Sequence, residues 1–318
     1  MQNTITFTQQ VKEEIASNVY ETKDRLRALL AAFIKINANL TFKNKESILL
    51  MSTENAKIAK FVYSSLKEIY DADCSFEYLQ KKSFKKKRVY KITVNTMSDE
   101  IIDDLEISFL EGKISKNIVR NDDTISGYLA GAFLASGSIN SPKSSNYHLE
   151  ISLNSENFAK WMIHLFKRYK NINLIPKIAP RRNKYILYFK KSDRIAEFLA
   201  LIGAVHSCMD FENIRVDRDF MNSANRLTNF DTANMKKSYE TSLRQIEEIK
   251  LIEKEIGFET LSNKKMALLC KLRLQNEQAS LKELAELMGE ELGHPVSKSN
   301  INHLFRAIHE VYERLKGC

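Results

Sequence analysis

The chain has 318 residues, and its hydrophobic content of 43% can fill the cores of two or three globular domains. Lys and Arg number 49 against 40 Asp and Glu, and the resulting excess of +9 lies within residues 1–211, because residues 212–318 carry 17 charges of each sign. This balance favours an anionic partner such as nucleic acid, although a merely well-solvated basic surface would give the same count.

Cysteine usage and hydropathy exclude several classes of protein. The four cysteines form no Cys-x-x-Cys pair, and no short His/Cys cluster has the spacing of zinc ligands. Residues 1–11 lack the apolar run of a signal peptide, and no segment reaches the roughly 18 uninterrupted apolar residues that a membrane span requires. We expect a cytoplasmic protein without metal, cofactor, membrane contact or small-molecule substrate.

Residues 1–20 are predicted to form an N-terminal helix, with Thr8 as its N-cap and with Val11 and Ile15 on one face. Two similar stretches follow about a hundred residues apart, LAAFIKINA at 30–38 and LAGAFLASG at 129–137. Their small residues would let two helix backbones approach closely, because side-chain bulk sets the distance between helix axes. An ordinary Ala-rich core helix explains either stretch alone, but their duplication favours a pair.

The elements after each stretch recur in the same order, namely two strands, a helix, two strands and a closing helix. In the first copy the strands are 39–43 and 47–53, with a turn at Asn44-Lys45, and a helix runs from 53–55 to about Tyr70. In the second copy 147–153 alternates as a strand, and a helix runs from 155–157 through Tyr169. We expect Ser98-Asp99 and Ser192-Asp193 to cap the closing helices. An αββαββα unit is therefore predicted twice within residues 21–211, in copies at about 24–110 and 122–205.

A basic turn precedes the last strand of each copy. The candidate phosphate contacts are Lys81, Lys82, Lys85, Lys86, Lys87 and Arg88 in the first copy, and Arg181, Arg182 and Lys184 in the second. On a saddle-shaped pair of sheets these turns would lie at symmetry-related positions and could contact phosphates on both sides of a duplex. Lysines that only keep hairpin tips solvated are an equally good explanation.

Residues 212–260 are predicted to be a linker. Its Asn-rich part, 222–234, has the composition of an ordered loop, and an amphipathic helix should then run from about Thr232 to Ile256, where Gly257 stops it.

Three helices are predicted in residues 261–318, beginning at Ser262, at Ser280 and at 295–297, with the second ending at Gly289. This is the outline of a helix-turn-helix domain, whose recognition helix presents its N-terminal polar residues to the major groove. Those candidate DNA contacts are Ser297, Lys298, Ser299, Asn300, Asn302, His303 and Arg306, with Ser280 and Lys282 on the preceding helix. Asn pairs with adenine and Arg or Lys with guanine. A plain three-helix bundle remains an alternative, because the interval from Gly289 to Val296 exceeds the usual turn.

The two duplicated stretches resemble the LAGLIDADG motif of homing endonucleases, in which each helix supplies one carboxylate to a divalent-metal site that cleaves phosphodiesters. This chain has Asn37 and Ser136 at those positions. Because neither side chain carries the charge that draws Mg²⁺ from water, we expect no catalytic residues and no nuclease activity. Acids recruited from elsewhere, such as Asp122 or Asp123, are the alternative.

The whole chain resembles the WhiA family of bacterial regulators. The most specific segments are GYLAGAFLASGSI at 127–139, NRLTNFDTAN at 225–234, ASLKEL at 279–284 and PVSKSNINH at 295–303. The resemblance implies an α+β fold, in which a degenerate, duplicated LAGLIDADG-like domain is followed by a linker helix and an all-α helix-turn-helix domain. It also implies a role in transcription control, cell division and chromosome segregation, with sporulation in some lineages. Lys35 departs from the pattern, since it replaces a small or apolar residue where the paired helices should meet.

Three hypotheses follow. The first is a non-catalytic regulator that binds double-stranded DNA mainly through the tail helix and is nucleoid-associated. The second, from another class, is an active LAGLIDADG homing endonuclease or a maturase-like RNA-binding protein. The third is a scaffold whose partners are division or nucleoid proteins. We expect the first.

Overall fold

The structure is a computed structural model, and it describes residues 5–43, 46–80, 88–170, 173–261 and 263–317. The chain forms two compact units, Met1–Arg218 and Asp219–Cys318, which are described separately below. Among the described residues, no helix has both the length and the apolar character needed to cross a membrane.

The first unit contains the predicted duplication. After an N-terminal helix α1 (Phe7–Ser17), the first copy comprises α2 (Lys23–Asn37), β1 (Asn39–Lys43), β2 (Glu46–Thr53), α3 (Ala56–Tyr70), β3 (Cys74–Gln80), β4 (Arg88–Val94) and α4 (Ser98–Asp104). The second comprises α5 (Asp122–Ser136), β5 (Gly137–Ile139), β6 (Leu149–Leu153), α6 (Glu156–Arg168), β7 (Lys177–Arg181), β8 (Lys184–Phe189) and α7 (Ser192–Leu201). The predicted αββαββα order is confirmed in both copies.

Each copy folds its four strands into an antiparallel sheet, in the orders β1-β2-β4-β3 and β5-β6-β8-β7. One face of each sheet belongs to the core, since Leu49 and Met51 of β2 and Leu149 and Ile151 of β6 are buried. The period of two between these residues leaves the opposite face of each sheet outside the core.

The two motif helices α2 and α5 pack directly against each other. A Cβ added to Gly131 would lie 2.0 Å from the carbonyl oxygen of Leu29, and one added to Gly127 would lie 2.5 Å from that of Arg25. Backbone therefore meets backbone at these two positions, which only glycine permits. The predicted close helix pair is confirmed.

Three predicted helix caps are wrong. Thr6, not Thr8, caps α1, because Thr6 and Gln9 form a reciprocal capping box. Thr8 instead donates its hydroxyl to the carbonyl of Ile139 at 2.8 Å. Neither Ser98 nor Ser192 is an N-cap, since each is already the first residue of its helix.

The predicted Asn-rich loop at 222–234 is also wrong, because a single helix α8 (Val205–Glu255) runs through it. Asn, Thr and Ser favour loops when their side chains compete for backbone hydrogen bonds. Here Thr228 and Thr232 each donate to the carbonyl four residues earlier, at 3.1 and 2.8 Å, which is compatible with a continuing helix.

The second unit is helical, as predicted. After a short 3₁₀ turn (Phe258–Thr260) it contains α9 (Lys264–Gln275), α10 (Leu281–Leu292) and α11 (Lys298–Lys316). Ile249 and Ile252 of α8 share their core with the apolar faces of these three helices. The predicted start at Ser262 lies outside the described residues. Helix α10 does not end at Gly289 but continues to Leu292, and Gly293 follows in the left-handed conformation (φ +71°).

Candidate nucleic-acid interface

Helix α11 separates an apolar face from a polar one at its N-terminal end. Ile301, Leu304, Phe305 and Ile308 are buried against α9 and α10. Ser297 caps the helix by accepting a hydrogen bond from the backbone N–H of Asn300 at 3.2 Å. The other proposed base contacts are all exposed on the first two and a half turns: Lys298, Ser299, Asn300, Asn302, His303 and Arg306. The structure thus brings the whole predicted set together on one solvent-facing surface.

The two predicted residues of α10 have different surroundings. Ser280 caps this helix in a capping box, with its hydroxyl accepting from the Glu283 N–H at 3.3 Å and its own N–H donating to the Glu283 carboxylate at 2.6 Å. Lys282 is exposed, and its ammonium lies 3.9 Å from the Glu286 carboxylate.

The connection between α10 and α11 is shorter than the sequence suggested. Because α10 continues to Leu292 and α11 begins at Lys298, only residues 293–297 join them. Gly289 lies inside the helix, where an added Cβ would be 3.3 Å from the His294 carbonyl oxygen. The prediction of a long connection, which had favoured a plain three-helix bundle over a helix-turn-helix geometry, is therefore wrong.

Arg273 is a residue of this domain that sequence reasoning missed. It is 2% exposed, donates to the Ala279 carbonyl at 2.6 Å, and places its guanidinium 5.5 Å from the centre of the Phe305 ring. It therefore connects the α9–α10 loop to α11. An arginine on an amphipathic helix normally predicts a solvated position, so no local pattern could have identified it.

A second contact fixes α11 on its other side. His309 Nδ1 lies 2.8 Å from a carboxylate oxygen of Glu248, whose side chain is only 5% exposed. Arg273 and His309 thus hold the helix by polar contacts in addition to its apolar face.

The C-terminal ends of the motif helices, where the LAGLIDADG motif has its metal-binding acids, carry no charge at Asn37 and Ser136. Asn37 donates to the Ser52 carbonyl and accepts from the Ser52 N–H, both at 3.0 Å. Both polar atoms of its amide therefore form hydrogen bonds that connect the end of α2 to β2. Ser136 is partly buried, and its hydroxyl contacts the Ala132 carbonyl at 3.5 Å in its own helix.

The alternative acids are at the wrong end of α5. Asp122 and Asp123 begin this 15-residue helix, which places them about 20 Å from Ser136. Asp123 also accepts hydrogen bonds from Thr22 at 2.8 Å and Arg25 at 3.2 Å. Within the described ranges, no group of three or more His, Cys, Asp or Glu is arranged to hold a metal ion.

The basic turns are placed only in part. Lys81, Lys82, Lys85, Lys86 and Lys87 lie outside the described residues, and Arg88 is exposed at the start of β4. In the second copy Arg181, Arg182 and Lys184 are exposed around a two-residue hairpin turn. Arg181 forms an ion pair with Glu150 at 2.9 Å, so Arg182 and Lys184 are the more accessible cations for a phosphate.

Lys35 does not occupy the contact between the paired helices. Its ammonium donates to the carbonyls of Ser108, Glu111 and Lys113 in the segment that joins the two copies. The lysine that departs from the motif at this position therefore anchors the segment that joins the two copies.

Three family models match the chain. The WhiA N-terminal LAGLIDADG-like domain matches residues 23–108, the WhiA LAGLIDADG-like domain matches 125–221, and the WhiA C-terminal HTH domain matches 224–312.

Curated relatives and solved structures agree with these matches. Proteins named "Probable cell division protein WhiA" from Enterococcus faecalis and Lactobacillus delbrueckii are 38% and 37% identical, over 98% of this chain and 99% of each relative. The crystal structure of full-length DUF199/WhiA from Thermatoga maritima has a TM-score of 0.60 at 27% identity and covers 98% of this chain and 99% of that one. A crystal structure of the N-terminal LAGLIDADG domain of DUF199/WhiA has a TM-score of 0.51 at 27% identity, covering 64% and 93%.

Proposed function

Because the chain belongs to the WhiA family, we propose that it is a non-catalytic transcription regulator that binds double-stranded DNA with a sequence preference. The observation that carries this proposal is the exposed polar surface at the start of α11. Its amide, guanidinium, ammonium and imidazole groups are those that pair with base edges in the major groove. The proposed location is the cytoplasm, in association with the nucleoid.

The support for specific binding is that the surface is rigidly held. A base-reading side chain discriminates only if its helix has a fixed position relative to the phosphate contacts. Helix α11 is fixed by its apolar face, by Arg273 beneath Phe305 and by the contact of His309 with Glu248. Exposed cations in the second copy of the first unit, Arg182 and Lys184, are the proposed additional phosphate contacts.

The support for a non-catalytic role is the use of Asn37 and the location of the remaining acids. A two-metal phosphodiesterase site needs carboxylates at the centre of the motif-helix pair. Both polar atoms of the Asn37 amide form hydrogen bonds with Ser52. Asp123 lies about 20 Å from Ser136, at the other end of α5, and accepts hydrogen bonds from Arg25 and Thr22. These contacts favour a binding protein over the endonuclease alternative.

The cellular role follows from the family alone. Relatives that carry the name of a cell division protein are 38% and 37% identical over nearly their whole length. We therefore place the proposed regulation in bacterial cell division and chromosome segregation, with sporulation in lineages that sporulate. Division or nucleoid proteins are proposed partners.

Selection of bound fragments from genomic DNA, followed by affinity measurements over a salt series, tests the proposal. Lys298→Ala, Asn300→Ala and Arg306→Ala should each weaken the selected site about tenfold or more, because each lost base contact costs roughly 1–3 kcal/mol. Arg314→Ala, near the other end of the same exposed face, is the matched control and should have little effect.

Two results would contradict the proposal. Preference for structured RNA that is insensitive to these three substitutions would favour a maturase-like protein. Metal-dependent nicking of plasmid DNA that co-purifies with the protein through two further chromatographic steps would favour the nuclease.

A further inference from the structure

A groove lies on the outer side of the second copy, between α6 and the segment that joins the two copies. Its volume is about 860 Å³, which is within the range of sites for small molecules. Leu110, Glu111 and Lys113 line it from the joining segment, and Trp161, His164, Lys167 and Arg168 line it from α6, so that its charged side chains are one carboxylate and several basic groups. All of these residues belong to the first unit, whereas α11 belongs to the second.

The wall formed by the joining segment is fixed in place. A Cβ on Gly112 would lie 2.5 Å from the backbone nitrogen of Phe158, so the segment contacts the first turn of α6 through its backbone. The Lys35 ammonium holds the segment from the inside, with bonds of 2.7 Å to the Ser108 carbonyl and 2.9 Å to that of Glu111. It also lies 4.9 Å from the centre of the Phe158 ring. A preformed wall reduces the entropy that a ligand must lose on binding.

The groove combines an aromatic surface with cations. The indole of Trp161 is partly buried and Leu110 is fully exposed, so a planar apolar group can enter. Arg168 donates one guanidinium N–H to the Val119 carbonyl at 2.8 Å. Lys113 and Lys167 are exposed and form no ion pair with any carboxylate in the described part of the chain. These ammonium groups can therefore meet an anion at little cost in existing contacts.

The first copy shows that the fold does not impose this surface. Helices α3 and α6 begin 100 residues apart and bury matching positions. Phe61 corresponds to Trp161, and the centre of its ring lies 5.7 Å from the centre of the Tyr20 ring. Glu68 stands in the position of Arg168, and Ser64 in that of His164. The indole of Trp161 has the His164 ring as its neighbour, with the ring centres 6.0 Å apart, and His164 itself lines the groove. The second copy therefore differs from the first by a larger aromatic ring whose neighbour belongs to the groove, and by two additional basic groups.

We propose that this groove binds a nucleotide, with the base against the Trp161 indole and the phosphates at Lys113 and Lys167. Aromatic stacking combined with lysine contacts to phosphate is the usual chemistry by which proteins hold nucleotides. Neither group alone would distinguish a nucleotide from a nucleoside or from a free anion.

Trp161 is the only tryptophan of the chain, so its fluorescence reports on this groove directly. The full-length protein is titrated with ADP, GTP and UDP, and in parallel with adenosine and inorganic phosphate. We expect a saturable change in emission with at least one nucleotide, and at least tenfold weaker binding of adenosine and of phosphate. Lys167→Gln should raise the Kd about tenfold, because a hydrogen bond to a charged group contributes roughly that factor.

Matched variants localise the effect. Lys67→Gln changes the corresponding lysine of α3 and should leave the Kd unchanged. By calorimetry, Trp161→Phe should retain binding and Trp161→Ala should lose most of it, with circular dichroism verifying that both are folded. The proposal is overturned if no nucleotide gives a saturable signal at millimolar concentration. It is equally overturned if inorganic phosphate binds as tightly as ADP, or if Lys67→Gln weakens binding as much as Lys167→Gln.

Discussion

Substitution of Gly131 by alanine tests the contact between the paired motif helices. The added Cβ would lie 2.0 Å from the Leu29 carbonyl oxygen, whereas ordinary contact begins near 3.4 Å, so the backbones must separate by about 1.4 Å along that line. A gap of this order forfeits about half or more of the dispersion energy between facing atoms. Because eight residues of α2 and eleven of α5 are buried, the loss extends well beyond one side chain.

The expected net effect is a destabilisation of about 2 kcal/mol. Overpacking usually costs about 1–3 kcal/mol, and here the obstacle is backbone that cannot change rotamer, so the upper part of this range or more applies. Replacing Gly by Ala within a helix returns about 1 kcal/mol of intrinsic propensity. For a unit of this size the unfolding midpoint should fall by roughly 6 °C.

Denaturation followed by Trp161 fluorescence measures this effect in the first unit alone, since the second unit has no tryptophan. Gly289→Ala is the matched control, because Gly289 is also helical but its added Cβ would be 3.3 Å from the His294 carbonyl oxygen. Its stability, followed by circular dichroism, should change by no more than about 1 kcal/mol. If Gly131→Ala were as stable as the parent protein, the inferred backbone contact between the helices would be refuted.

Three other substitutions test a loop anchor, a helix cap and a buried amine. Arg273→Met should cost the second unit about 2 kcal/mol in urea denaturation, because the Ala279 carbonyl loses its charged donor, whereas Lys271→Met on an exposed position of the same helix should cost almost nothing. Ser280→Ala should cost about 1 kcal/mol through the lost N-cap of α10, and an unchanged midpoint would exclude the capping role. Burial lowers the pKa of the Lys12 ammonium from 10.5 to about 8, so the unfolded chain binds more protons between these values and stability should rise with pH from about 8 to 10. Lys12→Met should make the rise between pH 7.5 and 9.5 about 2 kcal/mol smaller, and a rise of unchanged size would show that this amine is not responsible.

The sequence predicted the fold where local patterns repeat. Alternating apolar residues identify the buried faces of β2 and β6, and the second copy repeats the order of the first, so two weak signals support each other. The exposure of the polar residues at the start of α11 was predictable for the same reason. Once Ile301, Leu304, Phe305 and Ile308 define the buried face of α11, the polar residues between them must be exposed.

The errors arose where distant or compensating contacts decide the structure. Thr6 and Gln9 form a capping box, which is a local signal that the sequence does contain. The hydroxyl of Thr8 instead bonds to Ile139, and the sequence gives no sign of this contact because the two residues are 131 positions apart. The helix across 222–234 was missed because composition cannot show that Thr hydroxyls will bond inside the helix. The buried position of Arg273 depends on a loop and on a ring 32 residues later in the chain, which no periodicity encodes.

The ends of the motif helices show why neutral residues are stable at these positions. Asn37 and Ser136 are the last residues of α2 and α5, where the helix dipoles concentrate partial negative charge. A carboxylate at either end is disfavoured by the dipole and by the opposing carboxylate, unless metal ions neutralise both. An aspartate at 37 could still accept from the Ser52 N–H, but it could not donate to the Ser52 carbonyl, so one of the two bonds would be replaced by repulsion. Where no metal ions neutralise this centre, the neutral amide of Asn37 therefore stabilises the connection from α2 to β2 better than an aspartate would.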